Sequence, residues 1–181
     1  MIFFWDMSMN YTSITLLYNS HMVNYGAWAL GSWPGWFSPA AHLLPEPIFV
    51  TIPGYTALVT TQALVVCWLL RKAKARWPGL GGLASLGLII AGCAVVDTVI
   101  EVLLIRTEVY AYPGAIRSFA LFPGKTYQFP LNEGLLFGGL GVGSMAALHY
   151  FRDDKGQTFV ERGIEKLRLG ETGKQWLRGL E

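Results

Sequence analysis

Long apolar runs separated by short polar segments make up most of the chain. Three of these runs are long enough to cross a bilayer, which takes roughly 20 apolar residues. They cover residues 48–70, 80–105 and 130–151. Pro130 begins the third run, where the N–H that proline lacks would have no partner within the helix. The pattern predicts an all-α fold, a polytopic transmembrane helix bundle in residues 1–151 with about three full spans.

The segments outside these runs differ in character. Residues 1–47 are rich in Trp, Tyr and Asn, and four prolines divide their second half. Because Trp and Tyr favour the membrane–water boundary, we expect an aromatic interfacial segment or a partial helix here. Residues 106–129 contain two Pro-Gly pairs, which predict a compact loop with turns. Residues 152–181 are polar and predict a tail with a short, solvated surface helix.

The placement of Lys and Arg predicts an orientation. Residues 1–47 contain none, whereas four lie in the link 71–79 and seven lie in the tail 152–181. Cytoplasmic segments of membrane proteins carry an excess of these residues. We therefore expect a multi-pass protein of the cell membrane, with the link and the tail in the cytoplasm and residues 1–47 and 106–129 outside. The composition agrees, since only 14% of the residues are charged, against about 25% in soluble domains.

Two carboxyl groups lie inside the second predicted span. Asp97 and Glu101 are four residues apart, so they project from one helix face. An ionisable residue inside a span costs at least about 2.5–3.5 kcal/mol on insertion scales, so the pair needs a partner, a wet cavity or a proton. One interpretation is a pair of interhelical hydrogen bonds that hold the bundle together. The other is an acid–base pair for catalysis.

A third carboxyl group, Glu133, lies beside Asn132 at the outer end of the third predicted span. At about 1.5 Å of rise per residue, Glu133 and Glu101 both lie about one turn inside the outer boundary. Glu133 is therefore a third candidate for the same site. The alternative is an acid at a helix N-terminus, which the helix dipole favours.

Other motifs indicate packing or exclude classes of site. Glycines recur at four-residue spacing in the third run, as Gly134 with Gly138 and as Gly139 with Gly143. Small residues at this spacing let helix backbones approach closely. The chain has neither a His-x-x-x-His nor a Cys-x-x-Cys spacing, so we predict no metal site.

Several stretches of the chain resemble one protein family. They lie within residues 3–165, and the block around residues 105–138 is the most specific of them. The stretches read FFWDMSMNY, LLYNS, NYGAWA, LLPEP, RKAKARWP, LIRTEVYAYPGAIRSFALFPGKTYQFPLNEGLLFG and FRDDKGQTFVERG. They resemble the spirocyclase AveC-like family of actinobacterial membrane proteins. Members usually begin with further hydrophobic sequence, so we expect this chain to be short at its N-terminus.

The resemblance implies ring-forming chemistry in secondary metabolism. The family's namesake closes a dihydroxy-ketone of a macrolide into a spiroketal, a reaction that needs a proton donor, a proton acceptor and a dry pocket but no cofactor. Carboxyl groups whose environments differ can supply the first two. We predict Asp97 as the protonated acid, Glu101 as the acceptor and Glu133 as a third catalytic candidate. Side chains predicted to contact the substrate are Arg106, Tyr110, Tyr112, Tyr127 and Asn132.

Other functions fit the same residues. An integral-membrane terpene cyclase would use the same carboxyl groups, and a non-enzymatic lipid-binding or assembly protein would use them as structural hydrogen-bonding groups. Arg106 would equally serve as an interfacial anchor, with its charge in water. As partners we predict the lipid bilayer and an apolar, polyketide-like or lipid-like small molecule, and no nucleic acid. No prediction of oligomeric state follows.

Overall fold

The structure is a computed structural model that describes residues 15–24 and 47–179. Most of the described residues are helical. A π-helical turn at Val50–Gly54 leads directly into the first long helix. The four α-helices are α1 (Tyr55–Arg76), α2 (Gly82–Arg106), α3 (Leu131–Tyr150) and α4 (Glu171–Gly179).

Helix α1 extends beyond the apolar run that predicted it, from residue 70 to Arg76. Ala, Lys and Arg are strong helix formers, and basic residues in a last turn interact favourably with the negative end of the helix dipole. The helix ends at Trp77, because the following Pro78 disfavours the helical conformation in the residue before it.

Two helices of the described part, α2 and α3, are long and apolar enough to cross a membrane. The outward face of α2 is apolar, as expected for a span. Val95, Val99 and Leu103 form an exposed apolar stripe along it. Helix α1 does not meet the same test. It contains Gln62 and a basic last turn, which lower its mean hydropathy. The predicted bundle of three spans is therefore not confirmed. The described part of the chain has two candidate spans, α2 and α3.

Helix α3 packs closely against α2 through its glycines. It is α-helical at Leu131–Glu133, π-helical at Gly134–Val142 and α-helical again at Gly143–Tyr150. A Cβ added at Gly138 would overlap the side chain of Asp97, and one added at Gly143 would lie 3.2 Å from the Cα of Ile90. The packing role predicted for these glycines is confirmed.

Two apolar clusters fill the interior. The larger one lies between α1, α2 and α3 and includes Val66, Ile89 and Val142. The smaller one lies where α2 ends and includes Tyr18 and Phe129. This smaller cluster supports the candidate site.

The fold is mostly helical, as predicted, and a few two-residue strands accompany the helices. Within residues 15–24 and 47–179, four strands form two antiparallel pairs. The loop after α2 needs partners for its backbone polar groups, and its Tyr, Phe and Leu residues suit strands. The strands are β1 (Leu17–Tyr18), β2 (Tyr110–Ala111), β3 (Ala120–Leu121) and β4 (Phe129–Pro130).

The β1–β2 pair brings the N-terminal part of the chain onto the loop after α2, with Tyr18 opposite Tyr110. Of the aromatic segment predicted at residues 1–47, the structure describes residues 15–24 and 47. The remainder of that prediction lies outside the described residues. In the tail, the structure has a 3-10 turn at Ile164–Lys166 and then the surface helix α4.

Candidate functional site

A small cavity lies where the end of α2 meets the start of α3 and the β1–β2 pair. Its volume is about 40 Å³, and a buried water needs about 10–15 Å³ measured in this way. The space therefore suits a few waters or one functional group of a larger molecule. Its polar lining includes two carboxyl groups and four phenols, from Tyr18, Tyr55, Glu101, Tyr110, Tyr112 and Glu133.

Glu101 receives a hydrogen bond from the loop that follows its own helix. The hydroxyl of Tyr112 donates to Oε2 of Glu101 at 2.9 Å, and the Tyr112 side chain is buried. Burial, together with the neighbouring Glu101 carboxyl, raises the pKa of Tyr112 well above its usual value. The phenol therefore stays protonated and remains a donor.

The position of Tyr112 depends on a buried amide. Nε2 of Gln128 donates to the backbone oxygen of Tyr112 at 2.8 Å. The amide of Gly124 donates in turn to Oε1 of Gln128 at 3.0 Å. Gln128 thus uses both ends of its side chain to connect two parts of the loop between α2 and α3.

The rings of Tyr18, Tyr110 and Tyr112 form one wall of the cavity, and their edge-to-face contacts continue to Phe129. Centroid distances are 5.9 Å for Tyr18–Tyr110, 5.7 Å for Tyr110–Tyr112 and 5.9 Å for Tyr112–Phe129. Such pairs contribute about 0.5–1.5 kcal/mol each beyond the area they bury. These contacts therefore fix the positions of the rings that carry the phenol groups.

The hydroxyl of Tyr110 is buried near the Glu101 carboxyl, and among the described residues it has no partner in full hydrogen-bond geometry. Burial raises the pKa of Tyr110 well above its usual value, and the nearby Glu101 carboxyl raises it further. The group is thus a protonated donor beside the cavity. Because buried polar groups are nearly always satisfied, this hydroxyl suits an oxygen of a water or a ligand.

Glu133 lies in the first turn of α3, and only 4% of it is exposed. It lines the cavity together with Glu101. It also lines a second pocket of about 190 Å³, as does Tyr112. A third pocket, of about 330 Å³, shares Tyr18 and Tyr110 with the cavity. The small cavity therefore shares lining residues with two larger pockets.

Asp97 does not line the cavity. It is 3% exposed, and its carboxyl group lies against Gly138 of α3. Among the described residues Oδ2 of Asp97 has no hydrogen-bond partner, but the side chain of Gln62 lies close to the carboxyl group. On α1, the side chain of Gln62 is also buried and donates to the backbone oxygen of Cys93 at 2.9 Å. Asp97 therefore lies at the tight interface between α2 and α3, one turn from Glu101.

The remaining predicted residues lie apart from the cavity. The guanidinium of Arg106 lies over the rings of Tyr127 at 4.4 Å and Phe122 at 5.0 Å. Arg106 is exposed, which favours the interfacial-anchor interpretation for it. Asn132 lines the 190 Å³ pocket beside Glu133. Of the predicted site residues, the structure brings Glu101, Glu133, Tyr110 and Tyr112 together.

Sequence reasoning missed Tyr18, Tyr55 and Gln128. Tyr18 belongs to the stretch LLYNS, one of those that carry the family resemblance, and this was the available signal. Tyr55 begins α1 and contacts Phe137 edge to face at 6.0 Å. Gln128 is a single polar residue between aromatic neighbours, a pattern that does not distinguish a buried amide from a solvated one.

The site offers carboxyl and phenol groups. Within residues 15–24 and 47–179, no group of three or more His, Cys, Asp and Glu residues is placed to hold a metal ion. The arrangement can donate and accept protons and can orient oxygen atoms, in a space walled by aromatic rings.

In comparisons with known proteins, the chain matches one protein family. The family model described as "Spirocyclase AveC-like" matches residues 1–180. No curated protein and no solved structure matches the chain. Because the match covers nearly the whole sequence, the chain belongs to the spirocyclase AveC-like family.

Proposed function

We propose that the protein is a membrane-embedded, cofactor-independent cyclase that closes rings by acid–base catalysis on an apolar, polyketide-like or lipid-like substrate. The observation that carries the proposal is the cavity in which Glu101 and Glu133 meet buried phenol groups. Family membership supports a cyclase-type reaction. The two apolar helices α2 and α3 support a membrane location.

The proposed reaction is spiroketal formation from a dihydroxy-ketone. One hydroxyl adds to the ketone carbon, and the resulting hemiketal loses its hydroxyl as water after protonation. The second hydroxyl then attacks the oxocarbenium carbon and releases its proton. The sum is one substrate converted to one spiroketal and one water, with no change of oxidation state. A proton donor and a proton acceptor suffice.

We assign the acceptor role to Glu101, because its Oε2 already accepts a hydrogen bond from Tyr112. We assign the donor role to the buried Glu133. The hydroxyl of Tyr110 is placed to orient an oxygen of the substrate. The sequence favoured Asp97 as the acid, but the cavity geometry favours Glu133 for this role. Acid–base assistance contributes about 10²–10⁴-fold, and ordering of a flexible substrate contributes further.

The size of the cavity bears on the substrate. A space of about 40 Å³ holds only the reacting carbon and its oxygens. The two larger pockets, of about 190 and 330 Å³, offer space for the two arms of a chain whose centre lies in the cavity. An apolar substrate would reach them from the bilayer.

A terpene cyclase is the second candidate, and the aromatic wall is the observation that favours it. The faces of aromatic rings attract cations, and a carboxyl group would protonate an alkene or an epoxide. The two cyclases differ in products, since only spiroketal closure releases water. A non-enzymatic lipid-binding or assembly protein is the remaining alternative.

The test is a comparison of the small molecules and lipids of a deletion strain with those of its parent. The spirocyclase proposal predicts that one cyclised product disappears while an open-chain precursor, heavier by one water, accumulates. A precursor of equal mass would favour the terpene cyclase. Identical profiles under conditions in which the parent makes the protein would contradict both.

A further inference from the structure

The segment 166–178 near the end of the chain presents apolar side chains to solvent. Trp176 is 73% exposed, and Leu167, Leu169 and Leu177 are also exposed. Phe159 and Val160, earlier in the tail, are exposed as well.

The exposed apolar groups of α4 share one face. Gly173, Trp176 and Leu177 are three and four residues apart on α4, so they lie on the same side of the helix. A Cβ added at Gly173 would lie 3.4 Å from the Cβ of Leu169. The side chain of Leu169 therefore lies against this face and extends it.

The same segment is basic. Residues 166–178 contain four basic side chains and one acidic side chain, Glu171, which gives a net charge of +3. Lys166 and Arg168 are exposed. Lys174 lies on the flank of the helix beside the apolar face and pairs with Glu171 at 3.2 Å, whereas Arg178 lies farther round the helix. A cationic flank next to an apolar face is typical of helices that lie in a membrane interface.

The helix is attached to the end of a candidate membrane span. Arg162 donates to the backbone oxygen of Phe151, the residue after α3, at 3.0 Å. Arg178 of α4 forms an ion pair with Glu161 at 3.9 Å. These contacts hold α4 within reach of the surface at which α3 leaves the bilayer.

Helix α4 has nine residues and includes Gly173. Isolated helices of this length are marginal in water, so an apolar surface that covers Trp176 and Leu177 would stabilise it. We propose that α4, with Leu167 and Leu169, lies on an anionic bilayer surface, its apolar face in the headgroup boundary and its basic side chains on acidic lipid headgroups. This proposal is independent of the proposed catalytic function.

The test places a nitroxide label on each side of α4 in the whole protein. Leu177→Cys puts the label on the apolar face and keeps Trp176, and Gln175→Cys puts it on the opposite side as a matched control. Cys67 and Cys93 are fully buried, so the parent chain measures background labelling. The protein is placed in nanodiscs of phosphatidylcholine, with or without phosphatidylglycerol.

In nanodiscs with phosphatidylglycerol, we expect the label at 177 to be accessible to oxygen and protected from an aqueous nickel complex. The label at 175 should remain accessible to nickel. Protection at 177 should fall in phosphatidylcholine alone and after Lys166→Gln with Arg168→Gln. Equal nickel access at 175 and 177 in the anionic nanodiscs would overturn the proposal. Equal protection of position 177 in both lipid compositions would overturn the role of acidic headgroups.

Discussion

The hydroxyl of Tyr112 donates a 2.9 Å hydrogen bond to Oε2 of Glu101. Glu101 lies near the end of α2, and Tyr112 lies in the loop that follows it. The contact therefore makes the orientation of a carboxyl group inside a candidate span depend on a loop outside it.

The variant Tyr112→Phe removes the donor and keeps the ring. A hydrogen bond to a charged group is worth about 1.5–3 kcal/mol, so we expect product formation to fall by roughly 10- to 100-fold. Product is measured by mass spectrometry in cells that contain equal amounts of protein. Tyr127→Phe is the control, since Tyr127 stacks on Arg106 and does not line the cavity. Equal losses in the two variants would disprove a specific role for Tyr112.

The variant Gly138→Ala tests the contact between α2 and α3. The added Cβ would overlap the Asp97 side chain, and overpacking of this kind costs about 1–3 kcal/mol. We expect a lower midpoint of thermal unfolding in detergent. Gly87→Ala on α2 is the control, because its Cβ would meet nothing within 4 Å; it should be neutral or slightly stabilising. An unchanged midpoint for Gly138→Ala would show that the helices are not packed as described.

The variant Gln128→Leu should loosen the loop that holds Tyr112. It removes the acceptor for the Gly124 amide and the donor to the Tyr112 carbonyl. We expect faster hydrogen exchange at Gly124 and lower product formation. Gln128→Glu separates the two bonds, because it keeps an acceptor for Gly124 and loses the donor. Slow exchange at Gly124 in Gln128→Leu would contradict the connection.

The stability of the protein at alkaline pH should depend on the buried phenols of Tyr110 and Tyr112. The pKa of Tyr112 is raised when the protein folds, and so is that of Tyr110. The neutral phenols therefore contribute stability that is fully present below about pH 10, the usual tyrosine pKa. That stability is lost as the pH rises towards the folded-state values.

We expect the unfolding midpoint to fall more steeply above about pH 10 in the parent than in Tyr112→Phe. Ultraviolet titration of tyrosinate should show that this variant lacks a late-titrating group. If Tyr112 ionises together with the exposed tyrosines, the burial described for it is wrong.

The helices could largely be predicted from the sequence. The apolar runs 80–105 and 130–151 correspond to Gly82–Arg106 and Leu131–Tyr150, because apolar length and helix length coincide in a candidate span. Helix α1 ends later than the apolar run 48–70, since helix formation continues through the basic residues that end the run. The basic residues at its end also lower its mean hydropathy, and α1 is not among the candidate spans.

The site could be predicted only in part. The rise of a helix placed Glu101 and Glu133 at one depth, but their meeting in one cavity depends on how α2 and α3 pack. The pairing of Tyr18 with Tyr110 joins two segments far apart in the chain, and local patterns carry no signal for it. Asp97 and Glu101 share a helix face, yet Gly138 admits Asp97 into the interface between helices while Glu101 reaches the cavity.

The proposed acid–base catalysis depends on the carboxyl groups of Glu101 and Glu133. Substituting each of them by its amide tests this role most directly. Glu101→Gln, Glu133→Gln and Asp97→Asn are each returned to a deletion strain, and the cyclised product is measured at equal amounts of membrane-inserted protein. We predict that the two glutamine variants each lose at least about 100-fold of product formation, the lower range for acid–base assistance, while Asp97→Asn keeps most of it. Near-parental product from both glutamine variants would contradict the account.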